Sequence, residues 1–170
     1  MRRASTADLL LVTKAVKERL SFLAAGASLR SRTGYEIAEL QKKAATDRIA
    51  LSQQFLTDAR RLKKSGIPTN RTIVSRCYYA MYHAMRSATY IDHGGDDHEQ
   101  HTTLPSKLPK DFPDRNRWSN ILKNARFERN RADYDPYPRR DADFKEAADK
   151  LLEEASELVK QARMYVATKP

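Results

Sequence analysis

The sequence predicts an all-α fold, a four-helix up-and-down bundle preceded by an N-terminal helical extension. Three observations carry this. Apolar residues recur at three- and four-residue steps, no run alternates with period two, and 5 glycines in 170 residues are too few for the tight turns of a sheet-rich chain. With 40% hydrophobic and 32% charged residues the composition suits a folded helical domain rather than a disordered segment. Such a length buries a sizeable core and leaves residues for an arm. The extension and its linker are placed at residues 1–45 and the bundle at 46–170.

The extension opens at Ser5-Thr6-Ala7-Asp8, a helix start with an acid in its first turn. Arg2 and Arg3 precede Leu9-Leu10-Leu11-Val12, but Lys14, Lys17, Glu18 and Arg19 end that run too soon for a secretory segment. It reads as an amphipathic helix to Ala25, followed by a basic linker from Gly26 to Gly34. The apolar side of this arm needs a surface to cover: its own bundle, a second subunit or another protein.

Tyr35 to Lys64 is helical in pattern, with Ile37, Leu40 and Ala44 on one face and Leu51, Phe55, Ala59 and Leu62 continuing it. A helix of this length exceeds the ordinary, so a break is expected near Thr46-Asp47. Ser65-Gly66-Ile67-Pro68 stops it. Thr69 or Asn70 caps the next helix, which reaches Asp92 with Ile73, Cys77, Ala80, Ala84, Ala88 and Ile91 on its apolar face and Val74, Met81 and Met85 beside it. Its other side carries Arg76, Tyr79, His83, Arg86 and Tyr90. Alternating cations and rings hold phosphates and stack bases; the same stripe also suits a subunit interface, or tyrosines whose hydroxyls reach solvent. Cys77, the single cysteine, reads as a small buried thiol and suits a reducing cytosol.

His93 to Pro113 reads as a long loop, stiffened by Pro105, Pro109 and Pro113. Asp92, His93, Asp96, Asp97, His98, Glu99 and His101 crowd its start. His98 and His101 share a face if this stretch is helical, and nearby acids would complete a divalent site. His98-Glu99-Gln100-His101 lacks the spacing of a zinc-protease helix, so a solvated polar loop is the preferred reading and neither metal nor other cofactor is expected.

Asp114 starts a helix whose stripe runs Trp118, Leu122, Ala125 and then Arg129, with Ile121 alongside. Burying an unpaired guanidinium costs on the order of several kcal/mol. Arg129 therefore belongs in a cleft or interface with an anionic or carbonyl partner, or in a salt bridge that fixes the helix end. Pro136 ends the helix. Asp141 caps a last helix with Phe144, Ala148, Leu151, Ala155, Leu158, Ala162 and Val166 inside and Glu146, Asp149, Glu153 and Glu157 outside.

A net charge of +10 favours a polyanionic partner, RNA or DNA, or an acidic protein. No apolar run approaches the roughly 18–20 residues that span a bilayer, so the chain reads as cytoplasmic with no membrane partner. It carries no Gly-rich phosphate loop, no Cys/His zinc spacing and no nucleophile elbow.

Two stretches add a family resemblance. Arg76-Cys77-Tyr78-Tyr79-Ala80-Met81-Tyr82-His83-Ala84 is similar to the YYAMFHA helix of many HEPN proteins, and Arg129-Asn130-Arg131-Ala132-Asp133-Tyr134 to the R-N-x-A-D-Y form of that superfamily's C-terminal motif. With a first helix from Thr46 to Lys64, the chain resembles this superfamily of bacterial and archaeal helical bundles from Thr46 to Val166. The resemblance implies a homodimer that brings two motifs into one cleft. In HEPN ribonucleases the motif is Arg, a polar residue, three variable positions and His, and cleavage is metal-independent with the RNA 2′-OH as nucleophile.

Carried onto this chain, the resemblance gives Arg129 the role of stabilising the pentacovalent phosphate and Asn130 that of positioning it. Tyr134 stands where the histidine would be. An imidazole trades protons near neutral pH, whereas a phenol, with an ordinary pKa of about 10, mostly does not. His83, on the neighbouring signature helix, is the candidate replacement. Arg76, Tyr79 and Arg86 from the basic stripe, and Arg126 and Asp133 from the motif and its flank, are the RNA- or nucleotide-binding candidates. The implied function is a HEPN-domain protein of a toxin–antitoxin or defence-type module, binding RNA or nucleotide and acting as a weak endoribonuclease. The alternative is a non-catalytic regulatory partner, for example of a nucleotidyltransferase or antitoxin, with a degenerate site.

Overall fold

Residues 4–169 are described by the computed structural model, and Arg2 and Arg3 lie outside the described residues. The helices run α1 Thr6–Thr13, α2 Lys17–Thr33, α3 Ile37–Lys64, α4 Asn70–Asp92, α5 Arg115–Tyr134 and α6 Lys145–Thr168, with 3-10 turns at Leu104–Ser106 and Asp141–Phe144. No strand occurs among the described residues. The chain divides into two compact units, one ending at Leu40 and the other beginning at Gln41.

In the first unit, Ser5 caps α1 through a reciprocal pair: its hydroxyl accepts from the Asp8 N–H at 3.2 Å, and its own N–H donates to the Asp8 carboxylate at 2.8 Å. The expected single helix to Ala25 is corrected here, because α1 stops at Thr13 and α2 runs through Gly26 to Thr33. Glycine weakens a helix interior by only about 1 kcal/mol and does not force an end. Gly34 does end it, taking φ +73° as a left-handed cap whose N–H bonds the Arg30 carbonyl. The segment read as a linker is therefore mostly helix.

In the second unit α3 passes through Thr46-Asp47 without a break. The Thr46 hydroxyl returns to the Lys42 carbonyl at 2.9 Å, and Lys43 pairs with Asp47 one turn on at 3.0 Å. Its buried face is Ala45, Ile49, Ser52, Leu56 and Ala59; of the expected face Ala59 is buried, Phe55 and Leu62 pack half-buried against the core, and Leu51 is 39% exposed. Ser52 donates to the Ala80 carbonyl at 2.7 Å and Ser87 to the Ala45 carbonyl at 2.6 Å, so two buried hydroxyls join α3 and α4 where an apolar stripe was sought.

Helix α4 is the centre of the bundle and buries Ile73, Val74, Cys77, Tyr78, Met81, Met85 and Ala88 among others. Trp118 and Leu122 of α5 and Leu151, Leu158 and Val166 of α6 complete the core. The segment between α4 and α5 is no free loop, since Leu104, Leu108 and Phe112 are buried.

Asp141 does not cap the last helix, and this expectation is also corrected. Its carboxylate accepts from the N–H groups of Asn70 at 2.8 Å and Arg71 at 3.0 Å, capping α4 where Thr69 offers no side-chain bond. Burial raises the Asp141 pKa, but the donors from Arg71 and Asn70 outweigh it and hold the carboxyl below its usual value. Arg71 donates to the carbonyls of Ala132 at 2.8 Å and Asp135 at 3.0 Å, satisfying the end of α5. The start of α4 and the end of α5 are thus tied together, which fixes the motif against the tyrosines of α4.

Candidate nucleotide-binding site

The stripe of α5 buries Trp118, Leu122, Ala125, Arg129 and Ala132 in turn, and Arg129 is 6% exposed. Its guanidinium carbon lies 5.2 Å from the Tyr78 ring centre, 5.3 Å from that of Tyr79 and 5.5 Å from that of Tyr134. Aromatic faces attract a cation and so offset part of its lost hydration. Nη1 donates to the side-chain oxygen of Asn130 at 3.2 Å and to the Tyr134 hydroxyl at 3.1 Å. Nε is sealed from solvent with no hydrogen bond, 3.6 Å from an Asp133 oxygen. Nη2 makes no hydrogen bond to the described residues and, unlike Nε, is not fully sealed from solvent.

Beside it lies a cavity of about 180 Å³ lined by Asn130, Arg126, Lys123, Phe127, His101 and Thr102, with Pro105 at its edge. Lys123 and Arg126 have no carboxylate within ion-pair distance among the described residues, and Phe127 is 59% exposed. Asp133 also accepts from the Ser75 hydroxyl at 3.3 Å.

One imidazole reaches this cavity. Nδ1 of His101 is 2.5 Å from the Tyr78 hydroxyl, and the ring stacks on Tyr82 with centres 4.2 Å apart. Tyr82 is itself anchored by its hydroxyl to the Glu99 carbonyl. Burial, then Arg129, Arg126 and Arg86, lower the His101 pKa, which keeps the ring neutral at neutral pH. Burial of Tyr78 raises its pKa against the pull of Arg129, so it stays a phenol.

His83 stacks on Phe55 at 5.3 Å and meets the edge of Tyr82 at 5.2 Å. Burial, helped by Arg86, Arg48 and His101, pushes its pKa down to about 4. It does not line the cavity. Tyr79 joins the aromatic cluster around Arg129, while Arg76 sits 5.5 Å from the Phe55 ring centre. Arg86 pairs with Asp97 at 2.5 Å, and Arg48 meets the same carboxylate at 2.7 Å, so the Arg86 charge is compensated within the fold. Cys77 is buried, and its thiol is pushed up to about 12, chiefly by that burial.

The crowded histidines do not converge. His93 Nδ1 and His98 Nε2 are 2.8 Å apart, while His101 turns to Tyr78 and Tyr82. The helix face expected for His98 and His101 is absent, because His98 takes φ +46° and no helix forms there. Among the described residues no three His, Cys, Asp or Glu side chains are grouped to hold a metal ion. By sequence His101 and Asp97 read only as potential metal ligands in a polar loop, and Tyr78, Tyr82 and Arg71 receive no site role. Two of these, Tyr78 and Tyr82, stand inside the signature helix and carried a signal; the others are recognisable only by what folds onto them.

No helix among the described residues is long and apolar enough to cross a membrane. A family model described as HEPN domain matches residues 45–165. No curated protein and no solved structure matches the chain.

Proposed function

The chain belongs to the HEPN domain family, and from this premise we propose that it binds RNA or a nucleotide at the Arg129–Asn130 site, in a cleft completed by a second copy of the chain. The observation that carries this is the guanidinium of Arg129, held among three rings with Nη2 not fully sealed, next to the uncompensated charges of Lys123 and Arg126. Such an array accepts phosphate oxygens through charge-assisted bonds. The exposed rings of Phe127 and Tyr134 offer stacking surfaces for bases. At about 180 Å³ the cavity has room for a phosphodiester and not for the roughly 300–1,000 Å³ of a whole small-molecule site, which supports completion by a partner copy.

In this reading the protein works in the cytoplasm as part of a toxin–antitoxin or defence-type module, with a nucleotidyltransferase or antitoxin as protein partner. The leading unit of α1 and α2 supplies a docking element for that partner. Arg126 contacts phosphate, Tyr79 and Asp133 hold Arg129 in place, and Arg76 and Arg86 support the aromatic wall. Fluorescence anisotropy of a labelled single-stranded RNA, with chelator present, tests it. The parent chain binds and Arg129→Ala does not; equal binding by both would remove Arg129 from the site.

A second reading keeps the binding site and drops catalysis. It is favoured by Tyr134, whose hydroxyl accepts from Arg129 at the position where ribonucleases of this family have histidine. If Tyr134→His gains RNA cleavage that the parent lacks, the site is a degenerate one and the protein a regulatory partner.

A further inference from the structure

We propose that His101, delivered by the segment between α4 and α5, is the imidazole of this site and the catalytic base for RNA cleavage there. The inference rests on RNA binding at Arg129–Asn130 as proposed above. It restores a proton acceptor to a motif whose histidine position holds Tyr134, and it comes from a stretch of chain outside that motif.

The geometry supports this on four counts. His101 lines the same cavity as Asn130, Arg126 and Lys123. Its ring is fixed on one edge by the Tyr78 hydroxyl at Nδ1 and on one face by Tyr82. Nε2 makes no hydrogen bond to the described residues, so it is the nitrogen left for substrate. The other candidate, His83, is packed between Phe55 and Tyr82 away from the cavity.

The charged and titratable groups around His101 are Arg126 and Arg129 from α5, Arg86, Tyr78, Tyr79, Tyr82 and His83 from α4, and Glu99 from its own segment. Together with burial, the three cations favour the neutral ring, the form a general base requires. The Tyr78 hydroxyl is both donor and acceptor, so it holds the ring in either tautomer. With the Nδ1 proton donated to the Tyr78 oxygen, Nε2 presents its lone pair.

The step balances without a co-reactant beyond water. Nε2 takes the proton of the ribose 2′-OH and the 2′ oxygen bonds to phosphorus. The bond from phosphorus to the 5′ oxygen breaks, its electron pair leaving with that oxygen. The 5′ oxygen takes a proton from water, and the hydroxide so formed receives the proton from His101. The products are a 2′,3′-cyclic phosphate and a 5′-hydroxyl end, while Arg129 and Arg126 offset the charge on the non-bridging oxygens.

The test uses the full chain, a labelled single-stranded RNA and a chelator, with binding by anisotropy and cleavage by gel read separately. The parent is expected to bind and to leave a 2′,3′-cyclic end. His101→Ala is expected to bind as the parent does and to cleave about 100-fold or more slowly, with imidazole in the buffer restoring part of the rate. His83→Ala keeps the parent rate. On the parent alone, the rate should fall on acidification, with its midpoint below the ordinary imidazole value of about 6.5. Parent-like cleavage by His101→Ala, binding without cleavage by the parent, or a rate that does not fall on acidification would each overturn the role of His101. Absence of RNA binding by the parent would instead remove the reading on which it rests.

Discussion

The Nη1 group of Arg129 donates to the hydroxyl of Tyr134 at 3.1 Å, so the residue in the motif's histidine position is bonded to the motif's arginine. Tyr134 is 72% exposed, and the bond turns its hydroxyl inward while its ring stays at the surface. Tyr134→Phe removes one acceptor from Arg129 and keeps the ring. Stability should fall by about 0.5–1.5 kcal/mol in chemical denaturation, and RNA affinity should hold, because Nη2 is the donor left for phosphate. Loss of binding in Tyr134→Phe would make the hydroxyl itself the anion ligand.

Arg126 lines the cavity with no carboxylate to neutralise it. If it meets one phosphate, Arg126→Ala lowers the slope of log affinity against log salt by about 0.7. A titration at three salt concentrations measures this. An unchanged slope would place Arg126 outside the contact.

Asp141 accepts two backbone N–H groups at the start of α4. Asp141→Ala should cost about 0.5–2 kcal/mol. The sign of its pH dependence follows from its lowered pKa. A carboxyl lowered on folding contributes stability above its unfolded pKa, and that contribution is lost as pH falls through the folded value. The gap in melting temperature between parent and Asp141→Ala should therefore be full near neutrality and close below about pH 4. A gap that widens on acidification would contradict the cap.

Ser52 and Ser87 exchange bonds between α3 and α4. Replacing either by valine removes a buried donor and inserts bulk at a close helix contact. Each variant should lose about 1–3 kcal/mol by urea unfolding. Parent-like stability in Ser87→Val would show that the hydroxyl does not join the helices.

Much of the bundle was legible because burial follows periodicity. The stripes through Ile73 and Cys77, through Trp118, Leu122 and Arg129, and through Leu151, Leu158 and Val166 are the ones the fold buries. On α3 the expected Phe55, Ala59 and Leu62 do meet the core, while Ser52, polar in type, escapes the apolar pattern because a hydrogen bond to another helix buries it. Gly26 reads as a stop by residue type, but it lies inside α2, and Gly34 with its left-handed backbone is the residue that ends that helix. Asp141 was assigned to the helix that follows it, whereas it caps one 71 residues earlier in the chain.

The site shows the same limit. Arg129 was found because a guanidinium on an apolar stripe is a local anomaly. His101 was grouped with His98 by closeness in sequence, but its partner is Tyr78, 23 residues away. Asp97 was read as one acid in a solvated loop, and it instead gathers Arg48 and Arg86. Pairings of this kind depend on how a segment returns to the core, which no local pattern records.

The proposed role of Arg129 is to hold RNA in a cleft shared by two chains. Isothermal titration of a short single-stranded RNA into the purified protein, with chelator present and with Arg129→Gln as the second sample, tests it most directly. The account predicts one RNA bound per two chains and loss of binding in Arg129→Gln. One RNA per chain, or equal affinity in both samples, would contradict it.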